Sequence, residues 1–194
     1  MFSLASRRTN PVIGPFNMMN FRLNQLALPP SPVIHAPPLN DTGKKMLWGE
    51  PTWFFLHTIA YKVNPETFFV VKRDLLRYIY AICTNLPCPF CASHARTYLD
   101  GVNFNAIQSR DELRMLIFTF HNVVNSRKGY PIFRLEDLDT KYSTAITFNM
   151  FNNFIKYFSD KHRAPGLIAD DMFRAKLCVD ITNWFRANYQ FFKG

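Results

Sequence analysis

The chain has 194 residues, 48% hydrophobic and 16% aromatic, so it can bury one core but is short for two independent domains. Its formal charge is +9, but lysine and arginine are scattered along the chain, which argues against a nucleic-acid-binding protein. We predict no membrane span and no secretory signal, because no apolar run is long enough for a span and Arg7 and Arg8 are not followed by the apolar core of a secretory signal. Seven glycines against 20 phenylalanines, with apolar residues at helical spacing, favour an all-α fold.

The first part of the chain differs from the rest in composition. Residues 1–44 contain the proline pairs Pro29–Pro30 and Pro37–Pro38 and show no sustained helical or strand periodicity. We therefore predict a proline-rich extended N-terminal arm over 1–44. A helical domain over 45–163 and a C-terminal helical extension over 164–194 follow it.

Hydrophobic periodicity predicts six helices after residue 45. They cover about 51–62, 65–85, 88–99, 110–127, a stretch around 151–158 and one that begins near Asp170. Pro51, Pro65 and Pro87 suit helix starts or breaks. Ser109 and Glu112 have the spacing of a capping box, which fixes the start of the fourth helix.

Cys88 and Cys91 flank Pro89 and Phe90 at the start of the third predicted helix. Two intervening residues allow a disulfide to close between the cysteines, and a helix N-terminus favours thiolate over thiol. Pro89 occupies a position where its missing amide hydrogen costs nothing. The segment therefore suits thiol–disulfide exchange.

The spacing of the cysteines alone also permits metal sites. Cys83, Cys88, Cys91 and Cys178 have the spacing of a plant-type ferredoxin. Zinc bound by Cys88, Cys91 and His94 is a further possibility. Against the cluster, Cys83 falls inside the second helical pattern, and both Cys83 and Cys178 fit buried apolar positions.

Two other predicted helices carry residues suited to a nucleotide. Each presents a pair four residues apart on one face. The pairs are Trp53 with His57 and His121 with Asn125, and Asn122 lies beside the second pair. An adenine ring stacks on aromatic side chains and bonds to amides or imidazoles, while a pyrophosphate attracts a cation such as Arg127 or Lys128. Taken singly, His57 and His121 fit hydrogen-bonded core positions better than ligand positions, and Trp53 fits plain core packing.

Three motifs in order carry a resemblance to a known family. They are Trp48-Gly49 to Trp53 with Leu56-His57-Thr58, then Leu86-Pro87-Cys88-x-x-Cys91-x-x-His94, then Phe120-His121-Asn122-x-Val124-Asn125. Over about 47–158 the chain resembles the ERV/ALR family of FAD-linked sulfhydryl oxidases. The segment 87–99 is similar to members encoded by large DNA viruses.

The resemblance implies a four-helix bundle with a short fifth helix, FAD as cofactor, no metal, and a homodimer. The residues it places at the flavin nucleotide are Gly49, Trp53, His57, Cys91, His94, His121, Asn122, Asn125 and Arg127. The resemblance also implies that Cys88 and Cys91 are the catalytic pair. In this arrangement Cys91 faces the flavin, and a thiol-containing protein or dithiol carrier attacks Cys88. Oxygen accepts the electrons and yields hydrogen peroxide. The expected location is the host cytoplasm or the virion if the source is viral, and otherwise intracellular.

The chain departs from the family pattern in three places. The aromatic pair that often follows the His-Thr-x-Ala segment is shifted, since Tyr61 comes early and Lys62 and Val63 follow it. Tyr130 follows Gly129 where several members have lysine, and no second Cys-x-x-Cys is present to relay electrons. An alternative interpretation is therefore a non-catalytic structural protein of a viral assembly that keeps the fold. The intact Cys88, Cys91, His121 and Asn125 favour the enzyme.

Overall fold

The structure is a computed structural model that describes residues 46–159 and 168–192. Across these two ranges the chain is helical and contains no β-strand, which confirms the predicted all-α class. The α-helices are α1 (Gly49–Lys62), α2 (Phe68–Thr84), α3 (Pro89–Asp100), α4 (Arg110–Lys128), α5 (Asp137–Tyr142), α6 (Thr147–Phe158) and α7 (Ile168–Asn188). Short 3₁₀ helices cover Pro65–Thr67, Phe104–Ala106 and Tyr189–Phe192. The arm predicted over 1–44 lies outside the described residues.

Helix α1 is central to the packing. It contacts α4, α5 and α6, while α2 packs against α3 and α7, and α6 also contacts α7. Phenylalanine side chains fill much of the space between these helices: Phe55 stacks on Phe154 at a centroid distance of 4.7 Å, and Phe151 stacks on Phe185 at 4.3 Å. Helix α7 therefore shares one core with the helices that precede it. No described helix combines the length and the apolarity that crossing a bilayer requires.

Both ends of α4 are fixed by local chemistry. The Ser109 hydroxyl accepts a hydrogen bond from the Glu112 amide at 3.2 Å, and the Glu112 carboxylate accepts one from the Ser109 amide at 2.8 Å. The predicted capping box is thus confirmed. At the other end, Gly129 adopts a left-handed conformation with φ of 69°, which a residue with a side chain rarely adopts. The chain turns back after α4 at this glycine.

The observed helix bounds differ little from those predicted from the hydrophobic periodicity. Helix α1 begins two residues before Pro51, and α2 is preceded by a separate 3₁₀ helix because the Asn64 side chain accepts a hydrogen bond from the Glu66 amide at 2.8 Å. Helix α7 starts at Ile168, with Asp170 in its first turn. The short helix α5 has only six residues and packs beside α1.

Candidate active site

A disulfide joins Cys88 and Cys91 at the N-terminus of α3, with their Cα atoms 5.1 Å apart. Cys88 is the N-cap residue of this helix, and its Sγ accepts a hydrogen bond from the Cys91 amide at 3.1 Å. Pro89 occupies the first helical turn, as the sequence indicated. The local structure is therefore that of a dithiol pair whose sulfur atoms lie at the positive end of a helix dipole.

A cleft of about 660 Å³, its open mouth included, lies beside this disulfide. Five residues predicted from the sequence line the cleft: Gly49, Trp53, Cys91, His94 and Arg127. Cys91 thus lines the cleft, whereas Cys88 is not among the lining residues.

Most of the residues that line the cleft were not predicted from the sequence. The additional residues are Trp48, Thr52, Leu56, Cys83, Leu86, Ala95, Tyr98, Phe120, Val123 and Val124. Lys128, which the sequence indicated as an alternative cation to Arg127, also lines the cleft. Helical spacing could have identified part of this set, because Ala95 and Tyr98 come four and seven residues after Cys91 on the same face. Most of these side chains are apolar, so few polar groups line the cleft.

His94 carries an unsatisfied atom in this wall. Its Nδ1 is buried and has no partner with hydrogen-bond geometry among the described residues. Burial and then the Arg127 guanidinium lower the pKa of His94, and the Phe90 backbone acts in the opposite direction. A buried polar atom without a partner costs about 1–3 kcal/mol, so a ligand that bonds to Nδ1 would remove a penalty.

Other parts of the cleft also have the properties of a nucleotide site. A Cβ atom built on Gly49 meets no atom within 4 Å, so the space beside this glycine is open to a ligand. Arg127 and Lys128 bring two cations to the cleft. Burial lowers the pKa of both side chains, and an anionic group nearby would offset the cost of their desolvation.

The two predicted histidines of α1 and α4 lie behind Trp53 and do not line the cleft themselves. His121 stacks on the Trp53 indole at a centroid distance of 4.1 Å, and His57 Nε2 is 3.0 Å from His121 Nδ1. On its other side, His57 stacks on Tyr142 at 4.6 Å. The pair therefore fixes the plane of the tryptophan that faces the cleft.

Both histidines are neutral near pH 7. Burial, followed by His121 and Lys141, lowers the pKa of His57 to about 3. Burial and then Lys141 lower the pKa of His121 to about 4. With one proton on each ring, one nitrogen of the 3.0 Å contact donates and the other accepts.

The predicted asparagines of α4 are involved in the turn that follows this helix. The Asn122 side chain donates to the Phe133 carbonyl and accepts from the Phe133 amide, both at 2.9 Å. Asn125 is buried, and its main-chain carbonyl accepts a hydrogen bond from the Tyr130 amide at 2.9 Å. Neither Asn122 nor Asn125 lines the cleft.

The remaining cysteines are buried thiols in different helices. Cys83 lies in α2 at the cleft wall, and burial raises its pKa to about 12. Cys178 lies in α7, and burial raises its pKa to about 11, with Arg174 acting in the opposite direction. Within residues 46–159 and 168–192, no three histidine, cysteine or carboxylate side chains converge as metal ligands do. The geometry gives no support to the iron–sulfur or zinc alternatives.

Comparison with known proteins shows what this region is similar to. Residues 50–143 match the model of the Erv1 / Alr family. A protein of Invertebrate iridescent virus 3 that carries the name of an FAD-linked sulfhydryl oxidase is 33% identical over 86 residues, which are 44% of this chain and 58% of that protein. The mitochondrial FAD-linked sulfhydryl oxidase of Schizosaccharomyces pombe is 30% identical over 121 residues, which are 62% of this chain and 64% of that protein.

A third relative is covered more fully. The FAD-linked sulfhydryl oxidase of African swine fever virus (isolate Pig/Kenya/KEN-50/1950) is 27% identical over 99 residues, which are 51% of this chain and 82% of that protein. The iridescent-virus and yeast proteins are matched over less than two thirds of their length. No solved structure matches the chain. Residues 50–143, which contain the disulfide, the histidine pair and most of the cleft wall, are therefore the part of the chain that resembles the Erv1 / Alr family.

Proposed function

We propose that this protein is an FAD-dependent sulfhydryl oxidase that makes disulfides in partner proteins. Electrons pass from a dithiol through Cys88 and Cys91 to FAD and then to oxygen, which yields hydrogen peroxide. The observation that carries the proposal is the asymmetric disulfide at the start of α3: Cys91 lines the cleft and Cys88 does not. The family match and the names of the relatives support the same activity.

The residues of the cleft fit a flavin nucleotide. When bound, FAD supplies a two-electron acceptor that oxygen can reoxidise. Trp53 offers an aromatic face, His94 an unsatisfied ring nitrogen, and Arg127 a cation, while the open space at Gly49 permits close approach. In this proposal His57, His121, Asn122 and Asn125 support the site by fixing Trp53 and the turn after α4.

The exchange chemistry begins at Cys88. A partner thiolate attacks Cys88 Sγ, which forms a mixed disulfide and releases Cys91 as a thiolate on the cleft side. The partner's second thiolate then attacks the partner's first sulfur, which is bonded to Cys88 in the mixed disulfide. This step forms the partner's disulfide and releases Cys88 as a thiolate. Two electrons now lie on Cys88 and Cys91, and two protons pass to solvent.

The N-terminus of α3 assists both steps. The helix dipole stabilises negative charge on either sulfur. The Cys91 amide, which already donates to Cys88 Sγ at 3.1 Å, would stabilise the Cys88 thiolate as it leaves. A stabilised leaving thiolate accelerates the second exchange.

The partners follow from this chemistry. The reducing substrate is a protein dithiol or a dithiol carrier, and oxygen is the final acceptor. The resemblance to the family also suggests a homodimer, which light scattering on the purified full chain would test; a monomeric mass would contradict it. Because the relatives include viral proteins, we place the protein in the host cytoplasm or the virion if its source is viral.

The proposal is tested with the purified full-length protein and three variants. The wild type should copurify with a yellow flavin and consume oxygen when a small dithiol is added. Cys91→Ser and Cys88→Ser should keep the flavin and the helical circular dichroism spectrum but consume oxygen only at the background rate. Cys178→Ser is the control, because its thiol is buried in α7 away from the cleft, and it should retain both flavin and turnover.

Two results would contradict the proposal. A folded but colourless wild-type protein that binds no added FAD would support the structural alternative. Unchanged oxygen consumption in Cys91→Ser would remove that cysteine from the electron path. Production of hydrogen peroxide, measured in the same reaction, checks the fate of the oxygen.

A further inference from the structure

A second concavity lies away from the redox site. It is an open groove of about 900 Å³, solvent included, between α2, the C-terminal end of α3 and the 3₁₀ helix Phe104–Ala106. Its apolar lining includes the buried side chains of Leu76 and Leu99 together with Phe104. None of the residues placed at the redox site lines this groove.

The groove is positively charged. Lys72, Arg73 and Arg77 line it from α2, and Asp100 is the acidic side chain among the lining residues. The Tyr80 hydroxyl donates to the Asp100 carboxylate at 2.7 Å, so this carboxylate is already engaged. Positive charge therefore exceeds negative charge by two in this groove.

The three cations have no strong partners of their own. Lys72 Nζ donates to the neutral Gln108 side chain at 2.7 Å. Arg77 pairs with Asp74 at 3.1 Å in an exposed contact one helical turn away, and such contacts contribute little in solvent. Among the described residues, Arg73 makes no ion pair. The guanidinium and ammonium groups are thus available to carboxylates from outside.

An exposed aromatic side chain lies on the same side of α2 as one of these cations. Phe69 is 77% exposed and precedes Arg73 by four residues, so the two side chains lie on one side of α2. From Phe69 to Tyr80 the helix rises about 16 Å at 1.5 Å per residue. An extended segment that rises about 3.3 Å per residue covers this distance with about five residues.

We propose that this groove binds an extended acidic segment of another protein. Carboxylates at alternate positions of the segment face Lys72, Arg73 and Arg77, and an apolar side chain at one end packs against Phe69. The apolar lining and Asp100 favour a peptide over a nucleic acid, whose affinity depends on rows of cations that contact phosphates. A second copy of this chain does not fit, because a two-fold contact through this face would set cations against the same cations.

The experiment measures peptide binding to the full-length protein by fluorescence anisotropy. The probe is a fluorescein-labelled peptide Glu-Thr-Glu-Thr-Glu-Phe, and the control peptide has glutamine in place of each glutamate. The acidic peptide should bind, and its affinity should fall as salt is raised. The double variant Arg73→Glu/Arg77→Glu should weaken binding by at least about tenfold, because it replaces attraction by repulsion.

A matched charge reversal controls for the change in net charge. Lys156→Glu/Arg186→Glu alters two exposed cations on α6 and α7 and should leave peptide affinity unchanged. Circular dichroism and thermal unfolding verify that both double variants fold. The proposal is overturned if the acidic peptide does not bind, if the glutamine peptide binds equally, or if both double variants lose affinity alike. Tighter binding of labelled oligothymidine that is lost only in the groove variant would assign the groove to nucleic acid instead.

Discussion

The histidine pair behind Trp53 determines how the domain responds to acid. The pKa of His57 is about 3 and that of His121 about 4 in the folded chain, whereas the ordinary value is about 6.5. At a pH between the folded-state pKa values and the ordinary value, the unfolded chain binds more protons than the folded chain. The stability that the neutral pair contributes is therefore present above pH 6.5 and is lost as pH falls toward 4.

We expect the free energy of unfolding to decrease on acidification by up to about 1.4 kcal/mol per pH unit for each histidine. Urea unfolding followed by circular dichroism between pH 7.5 and 4.5 measures this slope. In the variant His57→Gln/His121→Gln the slope over this window should be distinctly shallower. An equal slope in the variant would show that other groups cause the acid sensitivity.

The candidate site was predicted in part, and the reason lies in side-chain geometry. A spacing of four residues shows that Trp53 and His57 share a face of α1, but it does not show which of them reaches the cleft. In the structure Trp53 lines the cleft and His57 lies behind it, between His121 and Tyr142. Neighbouring side chains decide this order, and their positions depend on packing between helices far apart in sequence.

At the scale of one helix, the start of α4 depends on Ser109. The Ser109 hydroxyl caps the Glu112 amide, and replacing an N-cap serine by alanine typically costs about 1 kcal/mol. We expect Ser109→Ala to lower the free energy of unfolding by about this amount in urea. Ser126→Ala is the matched control, because Ser126 is exposed near the other end of α4 and does not cap it with its side chain. A loss of the same size in Ser126→Ala would contradict the assignment of the effect to the cap.

The sequence was most informative about helices whose ends are marked by capping residues, glycine or proline. Helix α4 has a capping box at Ser109 and a glycine after its last residue, and α3 follows a proline, so their bounds could be predicted. Helix α5 has six residues, fewer than two turns, and an apolar period cannot be recognised over that length. The contact of Arg114 with Asp139 joins α4 to α5, but a pair 25 residues apart leaves no pattern in one sequence.

At the scale of the whole molecule, the four cysteines divide into a disulfide-bonded pair and a pair of buried thiols. Cys88 and Cys91 are joined, and Cys83 and Cys178 are buried with raised pKa values. Ellman's reagent should find no rapidly reacting thiol in the native oxidised protein and two thiols after unfolding in guanidinium. After mild reduction and removal of the reductant under anaerobic conditions, two thiols should react rapidly in the native protein. Rapid reaction before reduction would mean that Cys83 or Cys178 is accessible.

The small separation of Cys88 and Cys91 has a consequence for the unfolded ensemble. A cross-link between residues three apart removes little chain entropy, about 2 kcal/mol in free energy, against about 4.7 kcal/mol for a loop of 100 residues. Opening this disulfide therefore changes the balance between folded and unfolded chains far less than opening a long-range cross-link would. The helices can keep their packing while the sulfur pair changes its oxidation state many times.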